Sequence, residues 1–421
     1  MVLWIVLAVL VTAAAVLVAL NLASRQRSVE RRIEHGYTVE DPQFARAMGS
    51  LLGPALVGGN RITPLRNGDR IFPAMLDAIR AARRSINFET YIYWSGDIGR
   101  EFAEALSERA RAGVPVRVLL DWVGAGKIDE ALVERMEEAG VIVLRYHPLK
   151  WYNLGRLNNR THRKLLVVDG VVGFTGGVGI ADEWRGDAQD PHHWRDSHFL
   201  VEGPVVAQLQ AAFMDNWIET RGEVLHGEEY FPALRTVGPQ CGQVFQSSSD
   251  GGSESVRLMY LLSIASAGKR LRIANAYFVP DDLAVRHLVD AARRGVEVEI
   301  VVPGRYIDFT VVRKASRARW GPLLEAGIAI YEYQPTMYHT KVMIVDDLWV
   351  SVGSTNFDSR SFKLNDEANL NILDPELAAE LARHFEEDKR RSQRVTLEEW
   401  RARPWRQKLQ ERTAELFRSQ L

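Results

Sequence analysis

The sequence predicts an α/β protein of two related halves in tandem, each an α/β/α sandwich, behind an N-terminal transmembrane helix. Three observations predict it. Strand and helix patterns alternate along the chain, which builds layered α/β units. The same order of elements comes twice, with local matches 182 and 187 residues apart (Gly113 with Gly295, Gly140 with Gly327). Such an interval is far longer than a solenoid repeat and marks a duplicated domain. The first 24 residues carry no charged side chain.

Composition bounds the rest. A chain of 421 residues has room for two or three domains. Hydrophobic residues make up 46% and charged residues 25%, which excludes a disordered or collagen-like chain. Cys241 is the one cysteine, so an intramolecular disulfide framework and a multi-cysteine zinc site are excluded. The 53 basic and 54 acidic residues leave a net charge of −1. Affinity for nucleic acid rests on many neutralised phosphates, so no nucleic-acid partner is expected. Only 9 of the 53 basic residues are lysine. A lysine that recurs at a matched position therefore carries information.

Residues 1–24 are long enough to span a bilayer core of ~30 Å. No Lys or Arg precedes the apolar run, and its small-residue pattern at Ala13 and Ala15 lies inside it. A cleaved signal peptide has a basic start and a cleavage site after a shorter run. Arg25, Arg27, Arg31 and Arg32 follow at once, and short basic flanks stay inside. A single-pass cell-membrane protein with its catalytic part in the cytoplasm is expected. Residues 25–59 read as a basic linker. The first half, 60–222, reads as helix 72–84, strand 85–94, helix 100–112, strand 114–120, helix 130–139 and strand 141–146. Gly113 and Gly140 stop two of the helices. Residues 223–252, rich in Gly, Pro and Ser, read as a linker. The second half, 253–395, repeats the order: helix 259–267, strand 271–278, helix 283–294, strand 296–302, a helix ending at 322–326, and strand 328–333. Residues 396–421 read as a charged helical tail.

The chemistry falls at one matched place in both halves. His162 and Lys164 precede Asp169, and His339 and Lys341 precede Asp346, both as His-x-Lys-x4-Asp. Seven residues after each Asp comes a turn of small residues, Gly176-Gly177-Val178-Gly179 and Gly353-Ser354-Thr355-Asn356. On a strand, residues two apart share a face. His and Lys then point the same way from a sheet whose apolar run is core. An imidazole serves as nucleophile or proton carrier near neutral pH. The neighbouring lysine offers positive charge to a non-bridging phosphate oxygen. The Gly-rich turn lets backbone approach an anion, and Ser354 and Asn356 add donors. Two copies meeting across a pseudo-two-fold axis would set two His and two Lys around one phosphate. Asp169 and Asp346 each end a strand before a turn, where a structural hydrogen-bonding role and catalysis both stay open. Asp190, His192 and His193 lack a third ligand at metal-site spacing; no metal or cofactor is expected.

These paired motifs, with residues 176–184 and 353–361, resemble the phospholipase D superfamily and most of all its bacterial cardiolipin synthase branch. The resemblance runs over about residues 60–395, with motifs at 157–184 and 334–361. It implies a phospholipase D-type sandwich in each half and a two-step exchange at phosphorus. One motif histidine forms a phosphohistidine; the other protonates the leaving alcohol and deprotonates the incoming one. The resemblance makes His162 the nucleophile and His339 the acid/base. Asp196 and Glu367 match the carboxylates that hold each imidazole in one tautomer. Gly177 belongs to the supporting turn. The first turn has Gly179 where the family has Asn, as Asn356 stands in the second, so the half-sites are not equivalent. The implied substrate is an anionic phospholipid at the membrane, phosphatidylglycerol, with two molecules joined into cardiolipin and glycerol released. The alternative is hydrolysis by the same chemistry with water as acceptor, a phospholipase D or a nuclease. A membrane scaffold without activity is a third reading, and two intact His/Lys pairs count against it. Lys150, Trp151, Tyr152, Arg156 and Arg160 read equally as a headgroup-facing rim and as a solvated loop. Arg313, Lys314, Arg317 and Arg319 read as a basic helix face.

Overall fold

The computed structural model describes residues 2–22, 31–34, 36–148, 158–248 and 255–420. Helix α1 (Val2–Leu22) has no acidic or basic residue in its first or last turn. Its described side chains, among them Trp4, Ile5, Val9 and Leu10, are exposed. Among the described residues no helix is long and apolar enough to cross a membrane; the backbone of α1 is described throughout, its side chains in part. The fold thus does not establish the expected span. Arg25 and Arg27 lie outside the described residues.

From residue 36 on, the segment expected as a juxtamembrane linker is part of the fold. It holds α2 (Pro42–Leu52), started by Pro42 and by the Asp41 carboxylate, which accepts from the Gln43 amide at 2.8 Å. It also opens β1 (Val57–Arg66). The first half continues with α3 (Gly68–Ala81), β2 (Ile86–Thr90), α4 (Asp97–Arg111), β3 (Val116–Asp121), α5 (Glu130–Glu138) and β4 (Ile142–Tyr146). Then come β5 (Arg160–Thr161), β6 (Leu165–Val168), β7 (Val172–Gly176), β8 (Ser197–Glu202) and α6 (Val206–Arg221). The second half runs β9 (Gln240–Ser247), α7 (Ser255–Ala265), β10 (Arg270–Asn275), α8 (Asp282–Arg293), β11 (Glu297–Pro303), α9 (Thr310–Ala318), α10 (Trp320–Glu325) and β12 (Ala329–Tyr333). It closes with β13 (Lys341–Val345), β14 (Trp349–Gly353), α11 (Ser359–Lys363), β15 (Asn365–Leu373), α12 (Pro375–Arg390) and β16 (Ser392–Val395). The tail forms α13 (Leu397–Ala402) and α14 (Trp405–Glu415). The glycines that stop the matched helices, Gly113 and Gly295, sit at φ +86° and +93°, a backbone region that only glycine enters without strain.

Among the described residues the strands form one sheet in the order β16-β12-β11-β10-β13-β14-β15-β9-β1-β8-β7-β6-β2-β3-β4, with β5 beside β15. Outward from the central pair the order is β1-β8-β7-β6-β2-β3-β4 on one side and β9-β15-β14-β13-β10-β11-β12 on the other. The two orders match element for element, so the pseudo-two-fold axis passes between β1 and β9, where Val57 faces Gly242 and Asn60 faces Gln240. The expected linker 223–252 is corrected here: it supplies β9, the innermost strand of the second half. One face of the sheet is covered across both halves by α6 and α12. Leu209 and Phe213 of α6, and Leu381 and Phe385 of α12, share one core with Val201, Val350 and Leu370. The other face is covered by α3, α4 and α5 in the first half and by α7 and α8 in the second. Each such buried Leu or Phe contributes about 1.5–3 kcal/mol.

Asp169 and Asp346 end β6 and β13 at φ +55° and +52°. The Asp169 carboxylate accepts from the amides of Arg83, Arg84 and Ser85 at 3.0, 2.7 and 3.0 Å. Asp346 accepts from Gly268, Lys269 and Arg270, each at 2.8 Å. Each carboxylate thus pins the turn that feeds the neighbouring strand, β2 or β10. Asp169→Ala and Asp346→Ala should each cost about 1–3 kcal/mol, the penalty of leaving such amides unmade. Calorimetry should show a lowered Tm, while the protein that remains folded turns over nearly normally. Loss of turnover with an unchanged Tm would give these carboxylates a part in the chemistry.

Candidate active site

His162 and Lys164 lie just ahead of β6; His339 lies just ahead of β13, whose first residue is Lys341. The shared direction expected from a strand therefore arises in extended chain at the leading end of each strand. The runs behind them, Leu165–Val168 and Lys341–Val345, are buried at every position and fix these ends in the sheet.

Each motif is docked into the opposite half. The His162 amide donates to the Asp366 carbonyl at 2.9 Å, and Arg160 pairs with Asn365 where β5 meets β15. The His339 amide donates to the Arg195 carbonyl at 2.8 Å, and Tyr338 bridges to Arg195. The side chains follow the same exchange. His162 Nδ1 donates to both oxygens of Glu367 at 3.0 Å, and His339 Nδ1 donates to Asp196 Oδ2 at 2.7 Å. The carboxylate that orients each imidazole comes from the other half. Both carboxylates are fully buried, and both imidazoles are nearly so. With Nδ1 committed, Nε2 is the nitrogen left for chemistry; at His339 it lies 3.1 Å from Lys341 Nζ. The two rings line one cavity of about 290 Å³, together with Lys164 and Asn356.

A further layer holds the carboxylates. Ser354 Oγ donates to Glu367 Oε2 and accepts from the Ala368 amide at 3.0 Å. Asp196 accepts from Trp184 Nε1 at 2.9 Å and from the Ser197 amide at 2.8 Å. Gly177 stands where the second half has Ser354. A Cβ there would lie 2.2 Å from Asp196 Oδ1, so the close approach of that carboxylate requires glycine. Gly179 stands where the second half has Asn356. A Cβ there would lie 2.8 Å from Ile92 Cβ, so Ile92 occupies the room an asparagine would need. Asn356 itself is buried, and its Oδ1 has no hydrogen-bond partner among the described residues.

Burial sets the protonation states. It pushes His162 down to about 4, with Lys164 and Lys341 adding to the shift and Glu367 opposing it. Burial, Lys341 and Lys164 push His339 down to about 3 against the pull of Asp196. Burial also lowers Lys164 to about 7 and Lys341 to about 8, each resisted by Glu367 and Asp196. Burial alone would raise Glu367, but His162 and Lys164 hold it down to about 2. Asp196 is likewise kept below its usual value by His339 and Lys341 against the effect of burial. Both imidazoles are therefore neutral near pH 7, each anchored at Nδ1, beside two lysines that give up their charge between about pH 7 and 8. That arrangement can attack a phosphodiester at one Nε2 and handle a proton at the other.

The walls of the cavity were only partly visible in the sequence. Trp184 and Trp194 stand 5.3 and 5.5 Å from His339, and Tyr91 stands 5.1 Å from His162, centroid to centroid. Tyr277, Asp308, Phe309, Asp358, Arg360 and Gln420 also line the cavity. Trp194 lies two residues from Asp196, and Tyr91 and Tyr277 just follow β2 and β10, which is the signal that could have found them. Gln420, at the far end of the tail, had none. Asp169 and Asp346 are not part of the lining; their carboxylates are taken up by backbone amides. Of the proposed aromatic and basic rim, Arg160 lines the cavity, and Lys150, Trp151, Tyr152 and Arg156 lie outside the described residues. Arg313 and Arg317 are spent on Glu332 at 2.7 and 2.8 Å. His193 pairs with Asp190 at 2.8 Å. Among the described residues no group of three or more His, Cys, Asp or Glu could hold a metal ion.

Comparison with known proteins matches this geometry to a family. A family model described as "Cardiolipin synthase, PLD-like domain" matches residues 75–190 and 260–389. The chain is 35% identical over 356 residues to cardiolipin synthase 2 of Bacillus anthracis, covering 84% of this chain and 69% of that protein. It is 36% identical over 356 residues to the cardiolipin synthase of Geobacillus kaustophilus, covering 84% and 71%. Among solved structures, the phosphatidylserine synthase of Haemophilus influenzae superposes with a TM-score of 0.69 at 14% identity, over 91% of this chain and all of that one. The polyphosphate kinase of Porphyromonas gingivalis superposes with a TM-score of 0.54 at 13% identity, over 88% of this chain and 52% of that one. At those identities the two structures speak for the fold alone.

The lowered lysines fix the sign of one pH effect. Their cationic forms, which attract a phosphodiester, are lost as pH rises through about 7 to 8. The affinity of a soluble phosphodiester inhibitor should therefore fall above pH 7, by up to about tenfold per pH unit for each lysine that must be charged. Inhibition constants measured from pH 5 to 10 test this. A constant that stays flat to pH 9 would contradict it.

Proposed function

The chain belongs to the cardiolipin synthase family with its phospholipase D-like domain, and from that we infer a phosphatidyltransferase that joins two phosphatidylglycerol molecules into cardiolipin. The observation that carries this reading is the pair of carboxylate-anchored imidazoles on one cavity, His162 on Glu367 and His339 on Asp196, with Lys164 and Lys341 close enough to act on both. In the first step His162 Nε2 attacks the phosphorus of the donor. A P–N bond forms, the P–O bond to glycerol breaks, and the glycerol oxygen takes a proton from His339. In the second step the hydroxyl of an acceptor phosphatidylglycerol gives its proton to His339 and attacks the phosphohistidine. The P–N bond breaks, His162 is freed, and cardiolipin leaves. His339 needs a proton at the start, although burial and the lysines oppose it. A bound phosphodiester anion neutralises those lysines and so removes part of the opposition.

The site works at the membrane. The uncharged run of the first 24 residues and the arginines after it are suited to a single-pass anchor with the catalytic part on the cytoplasmic side. The C-terminal helix offers a second surface of the same character. Helix α14 turns Glu411 inward onto Arg403 at 2.9 Å and Glu415 onto Arg319 at 3.0 Å. Its open side shows Trp405 and Leu409, with Phe417 just beyond, among Arg406, Lys408 and Arg412. Apolar and basic side chains on one face suit an anionic bilayer.

Full-length protein in phosphatidylglycerol vesicles should yield cardiolipin and glycerol by mass spectrometry. It should do so after EDTA treatment and gel filtration, because Lys164 and Lys341 supply the charge at phosphorus. Phosphatidic acid as the one product would make it a hydrolase. His162→Ala should give no covalent phosphatidyl-enzyme. His339→Ala should still label with a donor whose leaving group needs no proton, while turning over natural lipid roughly 10²–10⁴-fold more slowly. The opposite labelling pattern would exchange the two roles.

A further inference from the structure

Two arginines face the same cavity without an ion-pair partner among the described residues. Arg160 comes from β5 of the first half and Arg360 from α11 of the second, and both line the cavity beside His162. Both are half-buried. Arg160 Nη1 donates to the Asn159 carbonyl at 2.7 Å. Arg360 Nη1 and Nη2 both donate to Asn158 Oδ1 at 2.8 Å. These acceptors are neutral, and among the described residues neither guanidinium has a carboxylate within ion-pair distance. Other arginines of the site region are neutralised: Arg163 by Asp215 at 2.9 Å, Arg195 by Asp388 at 2.8 Å. The carboxylates whose charge reaches them, Asp121 for Arg160 and Asp358 for Arg360, are themselves hydrogen-bonded to backbone amides. Asp121 accepts from the amides of Val123, Gly124 and Thr161 at 2.9, 2.8 and 3.1 Å. Asp358 accepts from the Ser361 amide at 2.8 Å. Burial makes Arg160 less ready to hold its proton; the Asp121 carboxylate opposes that effect and the charge of Arg360 adds to it.

Two partly desolvated guanidiniums that repel one another are costly to hold together unless an anion joins them. Their planar forks match phosphate oxygens. The phosphate under attack already has Lys164 and Lys341. We propose that Arg160 and Arg360 form a second phosphate subsite, which seats the phosphodiester of the acceptor lipid. This rests on the phosphatidyl transfer inferred above and deepens it. The site would then select an alcohol that carries its own phosphate over water or free glycerol, because such an acceptor completes the charge balance of the cavity. The two arginines come from different halves, so the subsite exists only in the assembled cleft.

The test uses the full chain in phosphatidylglycerol vesicles with radiolabelled glycerol. Label entering phosphatidylglycerol reports transfer to an acceptor without phosphate; cardiolipin reports transfer to an acceptor with one. Arg160→Gln and Arg360→Gln should lower cardiolipin formation roughly ten- to a hundredfold, the worth of a charge-assisted hydrogen bond, and leave glycerol exchange within about threefold. Arg160→Lys and Arg360→Lys should restore part of the cardiolipin rate. Parallel loss of both reactions in the Lys variants, or no loss of cardiolipin formation in the Gln variants, would overturn the subsite. Where a Gln variant loses both reactions, the Lys variants decide: weakened cardiolipin formation with retained exchange supports the subsite. Failure of the underlying reading looks different, since the unmodified protein would then form neither cardiolipin nor labelled phosphatidylglycerol.

Discussion

Each motif imidazole is held by a carboxylate from the opposite half, and the rest of the structure serves that exchange. Glu367 reaches His162 and Asp196 reaches His339, so neither half contains an oriented histidine by itself. The cost of failure is high. A buried carboxylate without its partner is destabilising by roughly 3–5 kcal/mol, and here two are buried completely. The carboxylates and imidazoles can sit in the core only if the halves meet in one register. The β1–β9 pair on the pseudo-two-fold axis sets that register, and the unbroken core under α6 and α12 keeps it.

Duplication gave the cleft its symmetry, and small substitutions have since divided the two sides. Glu367 is held by the hydroxyl of Ser354; the matching position in the first half is Gly177, where Asp196 comes too close for any side chain. Asp196 is held instead by the Trp184 indole. Asn356 has its counterpart in Gly179, whose space Ile92 has taken. The surroundings diverge in the same sense. His339 is walled by Trp184 and Trp194, whereas the His162 side carries Arg160 and Arg360. An aromatic wall on one side and two guanidiniums on the other make the surroundings of the two histidines unequal.

Much of this was legible in the sequence because it is local. Helix and strand periods, and the glycines that stop helices, gave the alternation and its repeat. The His-x-Lys spacing gave the site, since two residues of extended chain suffice to place both groups on one side. What the sequence hid is long-range. Strand β9 carries three Gln among its eight residues and is surrounded by turn residues, so its local pattern reads as linker although it is central to the sheet. The exchange of carboxylates depends on how the halves dock, which no local pattern encodes. Asp169 and Asp346 share a motif with the histidines, yet their carboxylates face the turns at the far end of the strand. Gln420 reaches the cavity from the last helical turn, where it meets Asn158 at 2.8 Å, and nothing in its neighbourhood announces that contact.

The crossed pairing is tested most directly by asking which carboxylate controls the covalent intermediate. A short-chain phosphatidyl ester of p-nitrophenol needs no proton on its leaving group, so its first step depends on the nucleophile alone. Acid-labile phosphatidyl-enzyme is then quantified after a single turnover for Glu367→Gln and for Asp196→Asn. Because Glu367 holds His162, Glu367→Gln should form adduct at least about 10²-fold more slowly, while Asp196→Asn forms it at close to the normal rate and fails in the later transfer to an alcohol. Adduct lost in Asp196→Asn and kept in Glu367→Gln would contradict the account.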